Sequence, residues 1–292
     1  MKILILVTNS TLYPSNIILP FLKNTWGKDE RVNIIYYQGG ENKTFLDKDT
    51  LKVAAPLTFE RVSEKGLKAF EWILENIDFD VVYRCTTTTY LDIDNLIAFL
   101  EDKKMDNFLC GVTNTFPHHP ETPEDEKITF VSGAGCFFSK DVVKKLVENK
   151  KSYDFSLLDD VAIGKLLIKN LEVPVTEGYY QDFLHGYPLF KDIDFENYHY
   201  RFKLGSVAHT PYYPRYLEII TLLSIHLRKK IGTKKSSTLS FFVYLIDLTF
   251  YLIYEIFRIL NPHFIKYKLK SFFIFLRKIL IKTVKILLLR RN

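Results

Sequence analysis

Cysteine is scarce in this chain of 292 residues: Cys85, Cys110 and Cys136 are odd in number, widely spaced and never in a Cys-x-x-Cys pair. That excludes a disulfide framework, offers no zinc-ligand spacing and fits a reducing compartment. Glycine and proline are modest at 12 and 11 residues, which excludes collagen-like and low-complexity chains. The N-terminus lacks a long apolar run, because Ile3 to Val7 give way at once to Thr8, Asn9 and Ser10. The segment therefore predicts a buried first strand, with neither a secretory signal nor an N-terminal anchor.

Acid is what the C-terminal end lacks. Residues 262–292 hold nine Lys/Arg and no Asp/Glu, residues 227–235 add five bases, and residues 236–261 contribute one net negative charge. Against +6 for the whole chain, this leaves residues 1–226 at −7. An acidic body with a basic end points to an anionic surface as partner. Residues 238–260 are almost wholly apolar and long enough to span a bilayer, but Asp247, Glu255 and Arg258 bring the insertion balance near zero. An interfacial or re-entrant placement is expected. Beyond Pro262, apolar residues such as Phe264, Leu269, Phe272 and Leu276 alternate with Lys266, Lys270, Arg277 and Lys278, the pattern of a basic amphipathic helix lying among anionic headgroups. Too few polar residues stand between the bases for a phosphate-tracking surface, so nucleic acid is not an expected partner.

What the body does have is alternation. Apolar runs at residues 32–37, 81–83, 108–112 and 130–138 are separated by helical patterns at 62–77, 94–102 and 140–147. The expectation is an α/β domain over residues 1–215 with a mainly parallel sheet covered on both faces, followed by a helical membrane-associating tail over residues 216–292. Ligands of such sheets bind beyond the carboxyl ends of the strands, so the residues after each apolar run are the candidates.

Three segments carry a resemblance. The first is Leu-Lys-Asn-Thr-Trp-Gly at 22–27 with Val-Asn-Ile-Ile-Tyr-Tyr-Gln-Gly at 32–39. The second is Phe-Asp-Val-Val-Tyr-Arg-Cys-Thr-Thr-Thr-Thr-Tyr-Leu-Asp at 79–92. The third is Phe-Val-Ser-Gly-Ala-Gly-Cys-Phe-Phe-Ser-Lys-Asp at 130–141 with Leu-Asp-Asp-Val-Ala-Ile-Gly at 158–164. In order and spacing they resemble the fringe and beta-1,3-galactosyltransferase family, which implies a GT-A-like nucleotide-sugar-binding fold. It also implies transfer of a hexose from a nucleotide diphosphate sugar to a glycan or lipid-linked acceptor. The competing reading is a non-catalytic nucleotide-sugar or glycan-binding protein on a degenerate transferase fold.

Glycosyl transfer needs a carboxylate to take the acceptor's proton and cations to meet the leaving diphosphate. Asp159 and Asp160 precede a helical pattern and suit a helix start, where either could simply cap. The resemblance assigns Asp160 as general base of an inverting displacement, with Asp159 capping or orienting it. Gly133 and Gly135 let backbone approach a ligand or form a tight turn. The resemblance places that turn under the donor sugar and acceptor, and docks the nucleotide base at Thr8 and Asn9.

The clamp departs from the family. Its acidic metal-binding triplet corresponds here to Thr86, Thr87 and Thr88, whose hydroxyls cannot replace carboxylates on Mn²⁺ or Mg²⁺. Either Asp92 and Asp94 bind a divalent metal in a shifted register, although both also suit helix capping, or no metal is used and Arg84, Arg201 and Lys203 hold the phosphates with the threonine hydroxyls. The metal-free clamp is favoured. The family's late metal-site histidine could match His185, His199 or His209, and residues 117–126, with His118 and His119, read as a mobile loop able to cover the acceptor. Together these readings place the protein on the cytoplasmic face of a membrane, peripheral or monotopic.

Overall fold

The structure, a computed structural model, describes residues 1–58, 61–117, 123–124, 126–183, 193–203, 217–231, 248–249, 251–253, 255–256 and 259–260. The basic segment 262–292, most of 238–260, and His118, His119, His185 and His209 lie outside the described residues. Among the described residues no helix is long and apolar enough to cross a membrane.

The first strand, β1 (Ile3–Thr8), is buried from Ile3 through Val7, as a strand apolar on both faces must be. It pairs in parallel with β2 (Asn33–Gln38) on one side and β5 (Val81–Thr86) on the other. Outside β2 lie β4 (Thr50–Lys52) and the edge strand β3 (Phe45–Asp47). Outside β5 lie β8 (Ile128–Ser139), β7 (Leu109–Phe116) and β9 (Val175–Glu177). Of these eight strands only β3 and β8 run against the rest. The mostly parallel α/β sheet expected from the alternation is therefore observed.

Helices cover both faces. On one, α2 (Val62–Asn76), α4 (Lys140–Glu148) and α5 (Asp159–Gly164) bring Leu67, Phe70, Ile73, Val143, Leu146 and Ile163 onto Leu4, Leu6 and Val82. On the other, α1 (Ser15–Asn24), α3 (Ile93–Glu101) and α6 (Leu217–Ile231) bring Ile18, Leu22, Leu96, Leu100, Leu222 and Ile225 onto Ile5, Val7, Tyr83 and Phe137. A small second sheet joins this face, with β11 (His199–Phe202) between β10 (Gln181–Phe183) and β6 (Thr89–Leu91). Helix α6 begins beyond residue 215, yet Leu217, Leu222 and Ile225 are fully buried against the body.

One local expectation is corrected. Ser132 to Gly135 do not form a tight turn; they lie within the twelve-residue β8, and neither glycine has a positive φ. The physical reason is close packing, since a Cβ on Gly135 would meet the Tyr83 hydroxyl oxygen at 2.3 Å and His199 Nδ1 at 2.4 Å.

Candidate active site at the carboxyl ends of the central strands

Strand register sets the site. Thr8 lies opposite both Tyr37 and Thr86, and one step further in Leu6 lies opposite Arg84, which in turn faces Cys136 of β8. Thr8, Tyr37, Arg84 and Thr86 therefore share the face that α2 and α5 cover, at the edge where parallel sheets place ligands. The Thr8 and Tyr37 hydroxyls are 2.7 Å apart, and Arg84 Nε donates to the Tyr37 oxygen at 3.2 Å.

Arg84 is the unusual residue here. Its side chain is 3% exposed and its Nη2 donates to the Asp159 carboxylate in a buried ion pair, while Nη1 is buried with no acceptor. Burial works to lower its pKa, but Tyr37, Cys136 and Asp160 around it outweigh that and hold it above the ordinary guanidinium value. It is a fixed positive charge. Leu158, not Asp159, stands at the N-cap of α5, so the Asp159 carboxylate is free of capping and turns to Arg84.

Asp160, the next residue, is half-buried and points to β8. Its Oδ2 accepts from the Gly133 N–H at 3.1 Å and its Oδ1 from the Val161 N–H at 3.0 Å. A Cβ on Gly133 would lie 3.3 Å from Asp160 Cβ and 3.4 Å from both Arg84 Nη1 and Asp160 Oδ2, so the bare glycine lets β8 pack closely on the two side chains. Sequence reasoning named all four residues. It missed the Arg84–Asp159 pair, because the partners are 75 positions apart and no local pattern links them.

The threonine run borders these groups. Thr86 and Thr88 hydroxyls are 3.0 Å apart, and Thr87 Oγ1 is 3.1 Å from Ser15 Oγ at the start of α1. Asn9 sits at the same edge, with Nδ2 donating to Gln38 at 2.8 Å and a buried Oδ1 that has no partner. Pairing of β11 with β6 sets Arg201 opposite Thr89, and the Phe202 N–H donates to the Thr88 carbonyl at 2.9 Å, which brings Arg201 and Lys203 to the other side of the run. Arg201 pairs with Asp182 at 3.1 Å, and burial pushes the Asp182 carboxyl above its ordinary value.

The residues do not fit the divalent metal that the resemblance implies. The triplet positions offer neutral hydroxyls that are already engaged, Thr86 with Thr88 and Thr87 with Ser15, beside the fixed cation of Arg84. Asp92 caps α3 through the Asn95 N–H at 3.0 Å and is ion-paired with Lys229, and Asp94 is paired with Arg31 at 2.6 Å. His199 is fully buried with both ring nitrogens engaged, by Tyr83 at 2.5 Å and Thr89 at 3.2 Å. Burial, with Arg201 adding to it, drives its pKa down to about 3, so it is a neutral structural imidazole. Among the described residues no group of three or more His, Cys, Asp and Glu could hold a metal ion.

Two open clefts of about 430 and 550 Å³ lie at the opposite edge, around Met1, Asp80 and Lys103 and around Lys2, Arg31 and Asp78, away from these groups.

Comparison with known proteins adds the following. Among solved structures, the chain is similar to a galactosyltransferase LgtC in complex with donor and acceptor sugar analogs, at 13% identity and TM-score 0.42, covering 74% of this chain and 90% of that one. It is also similar to 4-diphosphocytidyl-2C-methyl-D-erythritol synthase from Anaerococcus prevotii, at 14% identity and TM-score 0.37, covering 61% and 88%. No curated protein matches. The sequence profile of the galactosyltransferases matches residues 22–177, more than half of the chain and inclusive of Arg84, the threonine run, Gly133 and Asp160, so this protein belongs to the galactosyltransferase family.

Proposed function

We propose that the protein transfers a hexose from a nucleotide diphosphate sugar to a glycan or lipid-linked acceptor with inversion, Asp160 being the general base, on the pattern of the fringe and beta-1,3-galactosyltransferases. One observation carries the reading: a half-buried carboxylate, held by two backbone N–H groups at the start of α5, lies beside Gly133 of β8 and the buried Arg84 guanidinium, near the carboxyl ends of β1 and β5. An inverting displacement needs such a base on the acceptor side. The threonine hydroxyls, with Arg201 and Lys203 beyond them, meet the diphosphate, and Thr8 and Asn9 take the nucleotide base.

Exposed apolar residues next to the site, Leu12 and Tyr13 after β1 and Leu158 before Asp159, favour an acceptor with an apolar part. Residues 1–215, with α6 packed against them, form the catalytic body in this reading. The tail beyond α6 docks it on the cytoplasmic face of a membrane, where the local concentration of a lipid-linked acceptor is high.

The test is equilibrium binding of nucleoside diphosphates to the purified chain, followed by cleavage of a panel of UDP- and GDP-hexoses, with and without EDTA. Turnover that persists in chelator and disappears in Asp160→Asn is the expected result. Full turnover in Asp160→Asn removes the base, and saturable binding with no turnover on any donor makes the chain a binding protein.

A further inference from the structure

Exposed apolar side chains flank the site on both faces of the sheet. Leu12, Tyr13 and Ile17, on the stretch that leads from β1 into α1, are exposed, Leu12 by 57%, and Ser15 among them meets Thr87 of the threonine run at 3.1 Å. On the face that α5 covers, Leu158 is 53% exposed and directly precedes Asp159 and Asp160. Phe155, also exposed, packs on the Tyr153 ring, whose hydroxyl donates to the Asp159 carbonyl at 3.2 Å. The opposite edge is built of charge instead, with Lys2, Asp78, Arg31, Asp80 and Lys140 around Met1. An ordinary surface helix turns charged residues outward. Here no charged residue occurs from Ile3 to Leu22, so the outer side of the first two turns of α1, where Asn16, Ile17 and Pro20 are exposed, carries no charge. The first acid is Asp29, in a body whose net charge is −7.

Leu, Ile and Phe side chains among Tyr, Ser, Thr and Asn, without charge, suit the zone between lipid headgroups and acyl chains. Two further observations name a lipid surface as the occupant. Helix α6 packs on α1, with Leu222 and Ile225 in the same cluster as Ile18 and Leu22, and from α6 the chain runs on into its basic, apolar end. Within that end Leu248, Leu252, Ile256 and Leu260 recur every four residues and are exposed, while Glu255 is buried. We propose that Leu12, Tyr13 and Ile17 on one side and Phe155 and Leu158 on the other seat the carboxyl edge of the sheet on a bilayer, so that the site opens onto the lipid surface and takes its acceptor from there. The inference rests on the proposed docking of the tail on a membrane, and adds the orientation of the body. The acids adjoining Phe155 and Leu158 do not oppose an anionic surface, because Asp154 is paired with Lys165 at 2.8 Å and Asp159 with Arg84.

The test uses the full chain and phosphatidylcholine vesicles rich in phosphatidylserine, with no acceptor present. Cys85, Cys110 and Cys136 are buried, so a thiol-directed, environment-sensitive fluorophore goes to one introduced cysteine at a time: Leu12→Cys, Leu158→Cys, or Glu30→Cys at the opposite edge as reference. Melting confirms that each labelled chain is folded, and sedimentation that it is bound. The labels at positions 12 and 158 are expected to shift their emission to the blue and to be quenched by nitroxide-bearing lipids, with the label at position 30 unaffected. In unlabelled protein, Leu12→Ser combined with Tyr13→Ser should weaken vesicle association about tenfold, the scale of losing two partly inserted side chains. Silence at position 12 or 158 in a chain that still sediments overturns the inference, and leaves the tail docking and the transferase reading standing. A blue shift that includes position 30, or undiminished association of the double variant, overturns it equally. Wild-type protein that sediments with neither anionic nor neutral vesicles overturns the membrane docking and this inference together, and leaves the transferase chemistry standing.

Discussion

Gly135 and His199 form one packing unit with Tyr83, and their fates are linked. A methyl at position 135 has no room between the Tyr83 hydroxyl and the imidazole, so Gly135→Ala is expected to destabilise by about 1–3 kcal/mol, read from urea denaturation. Since His199 is held neutral with its pKa near 3 against an ordinary 6.5, the unfolded chain takes up a proton below pH 6.5 that the folded chain refuses. Its contribution is complete above 6.5 and is lost at about 1.4 kcal/mol per unit as the pH falls toward 3. Wild type should therefore lose stability more steeply than His199→Asn over that range, and parallel curves for the two would discard the assignment. At Arg84 the issue is charge: Arg84→Met strands the Asp159 carboxylate in the interior and should cost about 3–5 kcal/mol, with much of it restored in an Arg84→Met, Asp159→Leu double variant.

Elements were legible where a single period ran long enough. The patterns at residues 62–77, 94–102 and 140–147 emerged as α2, α3 and α4 within a residue or so at each end, because each buries one stripe on the sheet. Helix α1 was hidden by Pro20 in its interior and by the absence of a side-chain cap. The three-stranded sheet was hidden for another reason: β6 and β10 have three residues each, too short to show alternation, and the pairing of β6 with β11 joins segments more than a hundred residues apart. Strand β8 was obscured by its glycines, which suggest a turn when the need is close approach to Tyr83 and Asp160. Helix α6 supplies the element-scale prediction. Leu222 is fully buried against the body, so Leu222→Ala should lower the stability of the main unfolding transition by about 2–5 kcal/mol, and a change confined to a separate transition would show that α6 belongs to another unit.

At the scale of the whole molecule the governing quantity is the division of charge between an acidic body and a basic end. Screening makes the consequence measurable: the full chain should sediment with vesicles rich in phosphatidylserine, release as salt rises, and ignore neutral phosphatidylcholine vesicles. Replacing Lys266, Lys270, Lys278 and Lys282 by Glu should abolish the association while nucleotide affinity stays the same. Equal binding to both lipids would point to the apolar residues alone.

The reversed strand β8 has one last consequence. Its inner half, from Gly135 to Ser139, is bonded to β5, whereas its outer half pairs with β7 alone and extends past the rim as a two-stranded ribbon. Phe130 and Ile128 on that ribbon pack against Val161, whose helix bears Asp160, and Gly133 on the same strand grips the carboxylate. Ribbon, helix start and base are thus a single cantilever. Because Asp159 at the same helix start is ion-paired with Arg84 of β5, ribbon and central sheet hold that helix start, and the carboxylates on it, from two sides.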